Sequence, residues 1–339
     1  MILAPRVPRW LLPAVCAALL PACAKHDAAP TAAGKPLETV RLQTDWWPQA
    51  EHGGFYQALA KGYYSAVGIN AVIVSGGPGI TPIQALMSGY SDLSVGRTDD
   101  VILDASEGLP LVVVAVYMEH DPQAILVHEE DTIKSFKDLA GRTIMAAPES
   151  DWVAYLKLHY KIDFNLIPLN FGMGEFMADK HFAQQCFVTN EPYFVRKNGG
   201  HPRTLLIADS GYNPYRCILT TRRYLAAHPQ AVRSFVAASV RGWKDFMDGD
   251  PEPAIRLISQ RNDQITVDLM RFSIQAMREQ QIVSGNPDLG ERIGLMTRKR
   301  LEEQARILAE IGITHTVVPL EKFATFDYLP DDLRAAASR

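Results

Sequence analysis

The residues best suited to chemistry crowd into one segment, Asp45-Trp46-Trp47-Pro48-Gln49-Ala50-Glu51-His52-Gly53-Gly54-Phe55-Tyr56. An aromatic face stacks on a planar ligand, and a carboxylate accepts hydrogen bonds from ring or amino N–H groups. Asp45 and Trp46 are therefore the leading candidates for ligand contact, with Trp47, His52 and Tyr56 beside them. The alternative is a structural loop in which one Trp packs underneath and Asp45 caps the turn. A second group is Phe187-Val188-Thr189-Asn190-Glu191-Pro192-Tyr193. Strand alternation puts Phe187 and Thr189 on one face, and Pro192 favours an extended Glu191 that projects its carboxylate. Phe187, Asn190, Glu191 and Tyr193 are ingredients of a polar, stacking pocket wall. The alternative is a surface acid with both rings in the core. Two further signals are weaker. Gly76 and Gly77, in a Ser-Gly-Gly-Pro-Gly turn, can bring backbone N–H groups to an anionic or carbonyl oxygen, although a glycine-rich turn needs no ligand to explain it. Asp99 and Asp100, after Arg97-Thr98, suit a helix N-terminus, or one of them faces a cleft.

Nothing here spells a catalytic centre. The sequence lacks H-E-x-x-H, G-x-S-x-G, a phosphate-binding P-loop and G-x-G-x-x-G, and no two of its nine histidines have metal-ligand spacing. That balance favours binding over turnover, with no cofactor and no metal. The net charge of -4 lacks the basic surface that nucleic acid or an anionic membrane would require. Four cysteines are too few for a disulfide framework. Secretion would permit a Cys186–Cys217 pair if their strands are neighbours; two buried free thiols are the alternative.

Short apolar runs alternating with amphipathic segments must hold these loops. Strands are expected over 40–42, 71–74, 93–95 and 111–116, with helices over 52–67, from 82 to a stop at Gly89, and over 98–107. Further strands fall at 124–127, 143–146, 184–189 and 205–207, and the pattern turns helical after Cys217. Such βαβ alternation implies an α/β fold with mostly parallel sheets. The 339 residues, 47% of them hydrophobic, suffice for two lobes. The chain is expected to cross between them at 117–122 and at 211–215. One lobe comprises residues 38–120 plus 216–339 and the other 121–215, an arrangement that can hinge shut on a ligand.

Arg6 and Arg9 precede a charge-free run from Trp10 to Ala24, interrupted by Pro13 and Pro21 and shorter than a membrane span. This is the layout of a secretory signal over residues 1–22. Leu20-Pro21-Ala22-Cys23 resembles a bacterial lipobox, with Pro21 as a departure, and the resemblance implies lipidation of Cys23. Residues 23–37, rich in Ala and Pro, read as a tether.

Together, the Asp45–Tyr56 segment, the glycine-rich turn, Asp99-Asp100-Val101-Ile102-Leu103, Asp121-Pro122-Gln123-Ala124 and Asn190-Glu191-Pro192-Tyr193 resemble the SsuA/THI5-like (NMT1 domain) solute-binding proteins of ABC importers, over roughly residues 38–310. The resemblance implies the type II periplasmic binding protein fold. It also implies a small-molecule ligand, an ABC permease with its ATPase as partners, and a monomer in the periplasm that meets the membrane only through a lipid anchor. Asp45, Trp46 and the Phe187…Glu191 spacing are similar to the branch that captures a thiamin-precursor aminopyrimidine. Phenylalanine at 187 replaces the usual tyrosine. Other branches take sulfonates or nitrate, for which only Arg97 and His52 among these residues could supply charge. The pyrimidine synthase of the same superfamily uses a lysine and a histidine where this chain has Gly96 and Asp100, so its nucleophile and base are absent.

Overall fold

The apolar runs become ten strands among the described residues, which are 36–148 and 150–337 of this computed structural model. The expected signal, Cys23 and the tether up to residue 35 lie outside them. The strands are β1 (Glu38–Gln43), β2 (Ile69–Val74), β3 (Leu93–Arg97), β4 (Leu111–Met118), β5 (Gln123–His128), β6 (Thr143–Ala146), β7 (Asn165–Pro168), β8 (Ala183–Phe187), β9 (Pro202–Leu206) and β10 (Arg216–Thr221). They form two five-stranded sheets, ordered β2-β1-β3-β10-β4 and β7-β6-β8-β5-β9. This is an α/β architecture of two lobes.

Both sheets follow one plan. In the first, β1 runs parallel to β2 and β3, while β10 is antiparallel to β3 and β4. In the second, β6 runs parallel to β7 and β8, while β5 is antiparallel to β8 and β9. The reversed strand is in each case the one the chain enters directly after leaving the other sheet. The sheets are thus mixed, where the alternation predicted mostly parallel ones. The helices expected after Cys217 form, but a strand comes before them: Arg216–Thr221 is β10, the fourth strand of the first sheet. It is buried on both faces until its last residue, so it carries no alternation to mark it.

The expected helix over 52–67 divides into Gly53–Ala60 and Tyr63–Ala66, because Gly62 adopts φ 70 between them. The first piece packs on the long helix Pro229–Asp248 through glycine. A Cβ on Gly54 would meet the Trp243 indole at 2.2 Å, and one on Gly242 would meet the Gly54 carbonyl oxygen at 2.2 Å. The Gly-Gly of the motif is thereby a helix-packing device. Gly54→Ala is expected to destabilise the fold by about 1–3 kcal/mol through overpacking, read as a lower urea midpoint. An unchanged midpoint would show that Trp243 can move aside.

One side chain ties the two crossings together. Arg300, on helix Arg298–Glu310, donates through Nη2 to the Glu119 carbonyl in the first crossing and to the Asn213 carbonyl in the second, the latter at 2.9 Å. Its guanidinium lies 3.8 Å from the Tyr215 ring centroid. Gln304, one turn along, donates to the same Asn213 carbonyl at 2.8 Å. Among the described residues no helix is long and apolar enough to cross a membrane.

Candidate functional site

The Asp45–Tyr56 segment leaves the carboxyl end of β1, and the Phe187–Tyr193 segment leaves that of β8. Their side chains line one cleft, at the strand ends where open α/β sheets hold ligands. The cleft contains a cavity of about 320 Å³, with Asp45, Trp46, Gln49 and Glu51 from one lobe and Phe171, Phe187, Asn190 and Glu191 from the other. A smaller cavity of about 150 Å³ adjoins it and shares Trp46, Gln49, Glu51 and Asn190.

Trp46 stacks on Phe171 across the cleft, with ring centroids 6.0 Å apart and planes 28° from parallel. Phe171 stands in the loop after β7 with φ 59 and is 75% exposed, so no buried-core role accounts for it. Glu51 is 5% exposed and accepts a short hydrogen bond from the Thr189 hydroxyl of the opposite lobe. Burial raises its pKa, an effect the Thr189 bond partly offsets. Glu191 accepts from the Phe187 backbone N–H at 2.7 Å and from the Asn190 amide at 3.3 Å, and burial raises its pKa also. Glu191 is not extended as expected. It is the first residue of helix Glu191–Lys197, where Pro192 fits because an N–H in the first turn would have no acceptor within the helix.

Asp45 reaches the cavity with both oxygens already engaged. His52 Nε2 donates to Oδ1 at 2.8 Å, and buried Arg216 makes a short bond to Oδ2. Burial opposes its ionisation, but the Arg216 charge and the His52 hydrogen bond prevail and hold Asp45 well below the usual carboxylate range. Arg216 also donates to the Tyr117 hydroxyl at 3.3 Å and lies 3.6 Å from Asp121. Asp45 therefore braces the Trp46 loop from below, and His52 is fully buried behind it.

The remaining candidates sit in different surroundings. Trp47 is 50% exposed and borders the smaller cavity. Gly76 and Gly77 seat this loop: the Gly76 N–H donates to the Trp46 carbonyl and the Thr44 hydroxyl, both at 3.1 Å, and a Cβ on Gly77 would touch the Trp47 ring at 3.0 Å. Tyr56 is fully buried, with the Arg261 guanidinium 5.3 Å from its ring. Tyr193 packs on Phe194 and Phe272, and neither it nor Tyr56 lines the two cavities. Cys186 and Cys217 are free buried thiols in different sheets.

Asp99 and Asp100 face the other lobe. Their oxygens lie within 4.8 Å of those of Asp151, which opens helix Asp151–Tyr160. Arg97 pairs with Asp99 at 3.1 Å and with Asp100 at 3.0 Å, and the Tyr212 hydroxyl donates to Asp99 at 2.7 Å. Burial and the charge of Asp99 push Asp100 up to about 7 against Arg97, and burial with Asp99 pushes Asp151 up to about 6. A carboxyl whose pKa is raised on folding favours the protonated folded form. Stability from this cluster is therefore present at low pH and lost as pH climbs from the ordinary aspartate range through 6 to 7. Asp151→Asn is expected to flatten the decline in thermal midpoint between pH 4 and 7; an unaltered profile would remove the cluster from the account.

The fold is the two-lobed α/β architecture of periplasmic binding proteins, with the cleft between its sheets. The chain belongs to the NMT1/THI5-like family, whose profile matches residues 49–254. It is similar to the riboflavin-binding protein RibY of Chloroflexus aurantiacus, with 29% identity over 69% of this chain and 70% of that protein. It is also similar to the formylaminopyrimidine-binding protein of Halalkalibacterium halodurans, with 25% identity over 69% of this chain and 74% of that one. Among solved structures, the periplasmic aliphatic sulphonate binding protein SsuA of Escherichia coli superposes with a TM-score of 0.61 at 15% identity, over 84% of this chain and 96% of that one. The desulfurization enzyme DSZB shares the fold at a TM-score of 0.56 and 14% identity, over 88% of this chain and 99% of that one. The architecture alone thus leaves catalysis open.

Proposed function

We propose that this chain is the substrate-binding component of an ABC importer and holds a small planar heterocycle, of the thiamin-precursor pyrimidine or flavin kind, between its lobes. The observation that carries this reading is the 320 Å³ cavity lined by the aromatic Trp46, Phe171 and Phe187 together with the acidic Glu51 and Glu191. Its volume is near the lower end for small-molecule sites. Aromatic faces suit a flat ring, and carboxyl groups suit its N–H edge. Among the described residues no lysine or arginine lines either cavity, which argues against a sulfonate or nitrate. The two curated relatives, named for riboflavin and formylaminopyrimidine, support the same class.

In this reading the protein is a receptor and not an enzyme. Residues 1–22 are the signal, Cys23 carries the lipid and residues 23–37 form the tether. Lobes 38–120 plus 216–339 and 121–215 close on the ligand in the periplasm. A monomer then delivers it to a permease driven by its ATPase. Isothermal titration of the chain lacking residues 1–22 with formylaminopyrimidine, riboflavin and alkanesulfonates tests this. Saturable binding of a planar compound, recovered chemically unchanged, is expected. Preference for a sulfonate, or turnover of the bound compound, would defeat the reading.

A further inference from the structure

Thr189 sits in the segment that supplies Phe187, Asn190 and Glu191 to the cavity, yet its own side chain is fully buried. The other lobe grips it twice. Its hydroxyl donates a short hydrogen bond to Glu51 Oε1, and its carbonyl accepts from the Ser273 hydroxyl at 2.7 Å. Glu51 in turn lines both cavities, and its Oε2 accepts from no other described residue. One oxygen of this carboxyl is therefore committed to the opposite lobe, which leaves the second for a ligand. Few other groups can set the state of Glu51. The titratable groups that face it are Asp45 and His52 on its own segment and Glu191 across the cleft. Asp45 is engaged by His52 and Arg216, and Glu191 by the Phe187 N–H and the Asn190 amide. Two helices pack on the turn that carries Glu51. Helix Gly53–Ala60 has Tyr56 as its one titratable group, and Tyr56 lies against Arg261. Helix Val267–Glu279 presents Leu269 and Ser273 to the smaller cavity, while its charged residues, Asp268, Arg271, Arg278 and Glu279, are all exposed.

We propose that Thr189 is a positioning residue for ligand capture: from the opposite lobe it holds Glu51 as a hydrogen-bond acceptor, with Oε2 left for the N–H edge of the ligand. A hydroxyl that donates to a carboxylate favours its charged form, whereas a buried acid without that donor takes up a proton and becomes a donor itself. A protonated Glu51 would face a ring N–H donor to donor. Because the bond joins the two lobes, the acceptor is set when they meet. This inference rests on the planar-heterocycle reading and adds to it the residue that prepares the acidic contact.

Titration of the chain lacking residues 1–22 with riboflavin and formylaminopyrimidine, at pH values from about 5 to 8, tests it. Thr189→Val keeps the shape of the side chain and removes the donor. It is expected to weaken binding by about tenfold or more at neutral pH, the order of a hydrogen bond to a charged group, and to move the acid limb of the affinity profile to higher pH. Thr189→Ser retains the hydroxyl and should recover most of the affinity and the parent profile. In a Glu51→Gln background, where there is no charge to hold, Thr189→Val should cost about twofold at most. Comparing variant and parent on the same ligand cancels titration of the ligand itself. Unchanged affinity in Thr189→Val, a loss independent of pH, or an equal loss in the Glu51→Gln background would overturn the inference and leave the planar-heterocycle reading standing. Failure of the parent protein to bind either compound would overturn both.

Discussion

Replacing Trp46 with alanine is expected to weaken binding of a planar ligand by about 30-fold or more, with little change in the unfolding midpoint. Trp46 borders both cavities and faces Phe171 from across the cleft, so its ring is the contact common to anything seated there. Truncating a central aromatic anchor typically costs about 2 kcal/mol or more, and each 1.4 kcal/mol is tenfold in affinity. Because its ring is partly exposed, the fold should lose little. Trp47→Ala, at the half-exposed border, serves as the comparison and is expected to cost several-fold less. Titration with riboflavin and formylaminopyrimidine reads both variants, and equal affinities for Trp46→Ala and the parent protein would remove the stacking site.

The second large effect concerns stability. Arg216→Met is expected to destabilise the protein by about 3–5 kcal/mol, the usual cost of leaving buried charges without their partner. Arg216 sits against Asp45 and Asp121, and among the described residues no other guanidinium bonds to Asp45. Its loss strands the Asp45 charge beneath the Trp46 loop, so ligand affinity should fall with stability. The pH dependence has a definite sign. Asp45, held below its ordinary value in the fold, contributes stability that is present above the free carboxylate pKa of 3.8 and disappears as pH falls through the folded value. The variant should lose that acid-sensitive component, and Arg216→Met combined with Asp45→Asn should recover part of the deficit. Denaturant midpoints from pH 7 down to pH 2 follow this; a single-variant loss below 1 kcal/mol would mean that Asp45 finds another counter-charge.

Much of the cleft was legible because its residues are neighbours in sequence. Trp46 follows β1 and Phe187…Glu191 runs off the end of β8, and strand ends in this architecture face the ligand. Glu51 stood in the same segment, but nothing local indicates that it turns inward to meet Thr189, 138 residues away. Phe171 gave no signal, being an aromatic residue in a short loop between two unremarkable segments. The bracing of Asp45 left no mark in the sequence for a related reason: its partner Arg216 is 171 positions distant, and a carboxylate looks the same in sequence whether or not a guanidinium holds it. The mixed character of the sheets was hidden similarly. Strands β5 and β10 are buried on both faces, so their periodicity is silent about direction.

The position of β10 also bears on how the chain is made. Strand β10 lies between β3 and β4, and β4 has no other strand beside it in the first sheet. Residues 119–215, which build the whole second sheet, must leave the ribosome before the strand that joins β3 to β4 exists. Until then the amino-terminal half presents two open strand edges, the kind of surface that chaperones cover and that aggregates when left bare. A nascent chain halted anywhere before residue 216 has therefore never completed its first lobe, even where every strand of its second is already made.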